Sequence, residues 1–197
     1  MNTARLEVRS LAASRGPVTL FRDVSFALVP GELAAVRGPN GSGKTTLLRC
    51  AAGLTHADAG EVSRVGDVLF AGHLPGIKDD LTALENLAFA LRMRGLAPGE
   101  AAILSALERA GLAARRHVPA RRLSAGQRRR IGLARLALDP APLWILDEPL
   151  AALDAEGESM LGALLESHAG RGGIALVATH HALPVANGAV REIALRP

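Results

Sequence analysis

Hydrophobic and polar positions change their period several times along this 197-residue chain, and the changes outline its elements. Arg5 to Ser10 and Val24 to Val29 read as short strands, separated by the break at Gly16-Pro17. Pro30-Gly31-Glu32 turns the chain into Leu33-Ala34-Ala35-Val36, a continuous apolar run that reads as a buried strand. Helical spacing follows from Lys44 through Ala52 and stops at Gly53. Gly60 to Phe70 alternates again like a strand, ahead of a loop containing Gly72, Pro75 and Gly76.

Thr82-Ala83-Leu84-Glu85 has capping-box spacing, in which the Thr and Glu side chains satisfy each other's free backbone N–H groups at a helix start. Leu84, Leu87, Ala88 and Leu91 continue at helical spacing, and a second helical stretch runs from about Glu100 to Ala110. Both helices are expected in an all-α subdomain, about residues 77–135, inserted into a single nucleotide-binding domain spanning 1–197. After Gly126 come another helix, a buried strand Leu143-Trp144-Ile145-Leu146-Asp147, a helix around Ala155 to His168, and Ile174 to Ala178 as the last core strand. Strands alternating with helices predict an α/β fold with a mainly parallel sheet, preceded by a small antiparallel β layer.

Composition narrows the classes. The formal net charge of +4 comes mostly from scattered arginines with one cluster at Arg128-Arg129-Arg130, so nucleic acid is compatible with the chain but not required. The single cysteine, Cys50, excludes an intrachain disulfide, fits a reducing compartment, and is expected as a small core residue of its helix. No apolar run approaches the ~20 residues of a bilayer span, and the N-terminus lacks a signal-peptide layout. The expectation is a soluble, cytoplasmic chain that reaches a membrane only through a partner.

The chemistry starts at Gly38-Pro39-Asn40-Gly41-Ser42-Gly43-Lys44-Thr45-Thr46, which fits the phosphate-binding pattern G-x-x-x-x-G-K-[ST] directly after a buried strand. The glycines let successive N–H groups point at phosphate oxygens, and the helix starting near Lys44 adds its positive dipole end. Lys44 is then placed for the β- and γ-phosphates, and Thr45 for Mg²⁺. Lysine at this slot is informative because the chain has only two lysines, Lys44 and Lys78, among its 23 basic residues. A compact ammonium fits within a ring of backbone amides where a guanidinium does not. Asp147-Glu148, ending a buried strand, offers one carboxylate for Mg²⁺ and a second to orient or deprotonate the attacking water.

Leu123-Ser124-Ala125-Gly126-Gln127 resembles the signature of ATP-binding cassette (ABC) proteins, with Ala125 where the family more often has glycine. Ala152-Leu153-Asp154 resembles that family's D-loop, and Thr179-His180 its switch histidine, so the likeness runs through the whole chain. The resemblance implies the P-loop NTPase fold of the ABC type, ATP and Mg²⁺ as ligands, and ATP hydrolysis with Glu148 and His180 as catalytic residues. It also implies a head-to-tail homodimer in which Ser124 and Gly126 meet the γ-phosphate bound by the opposite subunit, with Asp154 beside the nucleotide. Two elements depart from the pattern. The loop after Phe70 reads Ala71-Gly72-His73-Leu74-Pro75, with His73 as the candidate substitute for the usual glutamine. No tyrosine occurs in the chain, and Arg15 stands near the place of the usual adenine-stacking aromatic, which leaves ATP against GTP open.

Gly72-His73 with Pro75-Gly76-Ile77-Lys78, the run Leu81 to Leu87, the Ala125 signature followed by arginines, and Leu143 to Pro149 are most similar to the CcmA type, the ATP-binding subunit of the bacterial cytochrome c maturation exporter. That resemblance implies integral membrane partners, a place on the cytoplasmic face of the inner membrane, and hydrolysis linked to release of a haem-loaded periplasmic chaperone. It implies motion passed to the membrane through the Ile77 to Arg94 region, with Lys78 as a candidate contact. Neither direct haem binding nor nucleic-acid binding is expected. The alternatives are the ATPase of another small exporter and, from a different class, a soluble cassette ATPase acting on nucleic acid through Arg128 to Arg130.

Overall fold

The computed structural model describes residues 4–72, 76–186 and 189–195. These fall into two compact units, and the chain passes between them several times. The first unit comprises residues 1–73, 141–149 and 165–197; the second comprises 74–140 and 150–164.

In the first unit, β1 (Arg5–Arg15) and β2 (Val18–Leu28) form an antiparallel hairpin around Gly16, whose φ of 57° suits a residue without a Cβ. Both strands are longer than their alternation predicts, for one physical reason. The expected end at Ser10 and the expected start at Val24 flank bulges, where Ser10 (φ 45°) and Asp23 (φ 51°) shift the register and break the period of two. Ser10 donates its N–H to Ser25 Oγ at 2.7 Å, so the bulged backbone stays hydrogen-bonded. The stretch predicted as one strand from Gly60 to Phe70 divides at Gly66 (φ 103°). Its first part, β4 (Ala59–Val65), pairs antiparallel with β1, and its second, β5 (Val68–Ala71), joins the other sheet.

That other sheet is parallel throughout, in the order β5-β6-β7-β3-β8, with β3 (Leu33–Arg37), β6 (Leu143–Asp147), β7 (Ile174–Ala178) and β8 (Val190–Ala194). β7 is not the last core strand, because β8 pairs in parallel with β3. β8 escapes the pattern because it is an edge strand whose central Arg191 and Glu192 face solvent, as edge strands protected by charge do. Strands β6 and β7 are buried at every position and β3 at all but its last, which is why they read as continuous apolar runs. The helix α1 (Lys44–Ala52) buries Leu47, Leu48, Cys50 and Ala51 in one core with both sheets. Burial pushes the Cys50 thiol pKa up, as befits a core residue rather than a reactive one.

The second unit is helical, with α2 (Ala83–Arg92), α3 (Glu100–Arg109), α4 (Ala125–Leu138) and the first turns of α5 (Ala155–Gly170). The capping box at Thr82 is present in both directions, and Leu87, Leu91, Ile103, Leu107, Ile131 and Ala134 share the unit's core. Asn86, buried on α2, accepts from the Lys78 N–H at 2.8 Å and donates to the carbonyls of Lys78, Leu81 and Thr82, which fastens the 78–82 loop to the helix.

Candidate functional site

Parallel pairing sets the site. Because β6, β7 and β3 are neighbours running the same way, their carboxyl ends lie along one edge of the sheet. The phosphate-binding loop after β3, His180 after β7, and Asp147-Glu148 after β6 therefore converge, at the position where open α/β sheets hold ligands. They line a cavity of about 250 Å³ together with Arg15, Leu20, Asn40, Gly41, Gly43, Thr45 and Thr46.

The loop is built by left-handed glycines. Gly41 (φ 84°) and Gly43 (φ 91°) let it turn into α1 with Gly43 as N-cap, and no side chain caps the first turn. The first N–H groups of α1 thus remain available to an anion. Lys44 is buried, and its ammonium donates to Gly38 O at 2.8 Å and Pro39 O at 3.2 Å, and lies 3.0 Å from His180 Nε2. Ser42 Oγ is buried with no hydrogen-bond partner among the described residues, as suits a hydroxyl inside a phosphate cradle.

Thr45 Oγ1 donates to Asp147 Oδ2 at 2.9 Å, so the hydroxyl and carboxylate expected at a metal stand side by side. An all-oxygen pair of this kind, facing a triphosphate site, fits Mg²⁺. Glu148 takes a left-handed backbone (φ 49°) held by its N–H donating to Ala178 O at 2.9 Å, and Glu148 Oε1 lies 3.5 Å from His180 Nε2. Strain of this sort persists only where neighbours hold it, and it turns the side chain toward the site.

One supporting residue escaped sequence reasoning. Arg37, the last residue of β3, donates to Thr179 O at 2.9 Å and His181 O at 2.5 Å, pinning the turn that carries His180. The only signal was a charge ending an otherwise apolar strand. Among the described residues no Phe or Trp lines the cavity; Phe21 packs beneath Gly43 and is buried, and Arg15 and Leu20 form part of the wall.

In the second unit, Ser124 is the N-cap of α4, accepting from Gln127 N–H at 3.1 Å, while Gln127 Oε1 accepts from Ser124 N–H. Both Asp154 oxygens lie 2.7 Å from Arg130 Nη2, and Oδ1 also accepts the Gly157 N–H at 3.0 Å. Arg130 and the Gly157 amide hold the Asp154 carboxyl below its ordinary pKa. Lys78 Nζ stands 5.1 Å from the ring centre of Phe89. His73, the candidate glutamine substitute, lies outside the described residues.

The ABC transporter family model matches residues 21–151, two thirds of the chain. The chain belongs to the ABC transporter ATPase family. Within that family, it is 48% identical over 96% of its length to the cytochrome c biogenesis ATP-binding export protein CcmA of Vibrio cholerae, covering 98% of that protein. It is 46% identical to the CcmA of Escherichia coli O157:H7, with 96% of each chain covered. An ABC ATP-binding protein from Pyrococcus furiosus has the same fold, with a TM-score of 0.84 at 22% identity over 97% of both chains. A dimeric ATP-binding cassette in a post-hydrolysis state bound to ADP and Pi aligns with a TM-score of 0.76 at 25% identity, over 89% of this chain and 88% of that one. As an ABC ATPase the protein binds ATP and hydrolyses it, with the α/β architecture those relatives share. No described helix is long and apolar enough to cross a membrane.

Proposed function

We propose that this ABC ATPase drives an exporter of cytochrome c biogenesis, as a homodimer bound to integral membrane subunits of that system on the cytoplasmic face of the bacterial inner membrane. The observation that carries the reading is the 46–48% identity, over nearly the whole chain, to proteins named for that export. Hydrolysis is coupled in this reading to release of a haem-loaded periplasmic chaperone, and neither haem nor nucleic acid binds this chain directly.

The strand-end geometry supports a specific division of labour. Residues 38–46 cradle the triphosphate, with loop N–H groups and Lys44 on the β- and γ-phosphate oxygens. Thr45 and Asp147 would hold Mg²⁺, which supplies positive charge against the phosphate oxygens. Glu148 takes the proton of the attacking water, the new P–O bond forms at the γ-phosphorus, and the bond to the bridging oxygen of ADP breaks. His180, pinned through Arg37, contacts the γ-phosphate and positions that water. Ser124 and Gly126 at the start of α4 complete the opposite subunit's site, so ATP closes the dimer and hydrolysis reopens it.

Affinity capture from gently solubilised native membranes, with ATP and Glu148→Gln to hold the closed dimer, tests the assignment. Co-purification of multi-helix membrane proteins of cytochrome c maturation is the expected result. A different permease would remove the cytochrome c reading, and recovery from cytosol with nucleic acid attached would remove the transporter reading.

A further inference from the structure

Asp154 has its carboxylate committed within its own unit. Both oxygens lie 2.7 Å from Arg130 Nη2, and Oδ1 also takes the Gly157 N–H. Arg130 is buried, and it is further engaged by Glu156 Oε2 at 2.8 Å and the Ala110 carbonyl at 3.3 Å. It lies six residues, nearly two turns, beyond the Ser124 N-cap of α4. Closer to the start of the helix the contact repeats. Arg129 Nε donates to Ala151 O at 3.1 Å, and a Cβ built on Gly126 would stand 3.1 Å from Ala152 O. Ala152 itself is a non-glycine residue at φ 60°. A backbone in that conformation persists only when its neighbours over-determine it, and here they do so at three successive heights of one helix.

We infer that Arg130 and Asp154 are positioning residues that strap the loop 150–154 to the signature helix, so that Ser124, Gly126 and this loop move as one block. The inference rests on the head-to-tail reading above and deepens it: Asp154 acts through Arg130 rather than as a ligand of the nucleotide. Leu150 follows Glu148 by two residues, so the strapped loop is also the covalent continuation of the catalytic strand. Engagement of the signature residues by a bound γ-phosphate in the opposite subunit is thereby tied to the backbone that carries Glu148.

The test uses the full-length chain with Glu148→Gln, measuring ATP affinity of the monomer by a fluorescent ATP analogue and ATP-induced dimerisation by sedimentation. Adding Arg130→Met or Asp154→Asn is expected to weaken dimerisation at least about tenfold while monomer affinity stays within about twofold. Combining the two should lose little more than either alone, because both cut the same strap. Arg130→Lys, which keeps the charge but cannot reach both carboxylates, is expected to fall between, and it serves where Arg130→Met does not fold. Loss of monomer affinity in Asp154→Asn alone would make Asp154 a nucleotide ligand and overturn the inference. Multiplying losses in the double variant would overturn it too. If the parent Glu148→Gln chain bound ATP yet failed to dimerise, the head-to-tail reading would fall first, and the strap's proposed purpose with it.

Discussion

Gly43→Ala and Gly41→Ala form a pair whose difference follows from packing alone. Both positions have left-handed backbones, at φ 91° and 84°, where an added Cβ costs roughly 1–2 kcal/mol. At Gly41 that Cβ meets nothing within 4 Å. At Gly43 it would stand 2.9 Å from Leu20 Cβ and 2.9 Å from Phe21 Cδ1. Phe21 is 1% exposed and cannot swing aside, so overpacking adds roughly 1–3 kcal/mol. Gly43→Ala is therefore expected to lose about 2–5 kcal/mol and Gly41→Ala about 1–2 kcal/mol. For a chain of this length these correspond to drops in Tm of about 4–20 °C and about 2–8 °C. The assay is thermal unfolding with and without saturating ATP and Mg²⁺. Ligand at a hundred times Kd stabilises by about 2.7 kcal/mol, and this increment should shrink most in Gly43→Ala, whose helix N-terminus is displaced from the phosphates. Equal melting of the two variants, with equal gains from ATP, would refute the placement of Phe21 beneath the loop.

Glu148→Gln should lower kcat for phosphate release about 10²–10⁴-fold with ATP affinity nearly unchanged, and more than half of wild-type turnover would remove Glu148 as the base. Asp147→Asn should raise the Mg²⁺ concentration for half-maximal activity at least about tenfold, and an unaltered Mg²⁺ titration would show that the Thr45–Asp147 pair holds no metal. His168, missed in the sequence, is buried and stacked on Trp144 with ring centres 3.8 Å apart, and burial lowers its pKa from 6.5 to about 4. Below pH 6.5 the unfolded chain takes up a proton that the folded chain refuses until about pH 4, so this contribution is fully present above pH 6.5 and is lost on acidification. The slope should approach about 1.4 kcal/mol per pH unit in that window, and denaturant titrations of His168→Phe should lack it; equal slopes would refute the assignment.

The elements most legible in the chain were those governed by neighbours in sequence. The helix Lys44–Ala52, its stop at Gly53 and the capping box at Thr82 each depend on residues within a few positions of one another. The phosphate-binding loop is equally local, since its glycines, lysine and threonine lie on one continuous turn. Legibility failed where a distant partner decides. Ser10 and Asp23 end no strand, because bulging is set by pairing across the sheet, and β8 is a strand only because β3 offers it an unoccupied edge. Arg37 showed only as a charge ending an apolar strand and His168 carried no local signal; their roles come from carbonyls more than 140 residues away and from a tryptophan on β6.

By itself, then, the order of residues determined which chemical groups the chain carries and the local shape of the loop that binds phosphate, because backbone preference and capping act over a few residues. The tertiary structure alone decided that Asp147, Glu148 and His180 face that loop, since adjacency of β6, β7 and β3 is a matter of parallel sheet order. It alone decided, too, that Asp154 spends its charge on Arg130, a pairing across 24 residues that no spacing rule foretells.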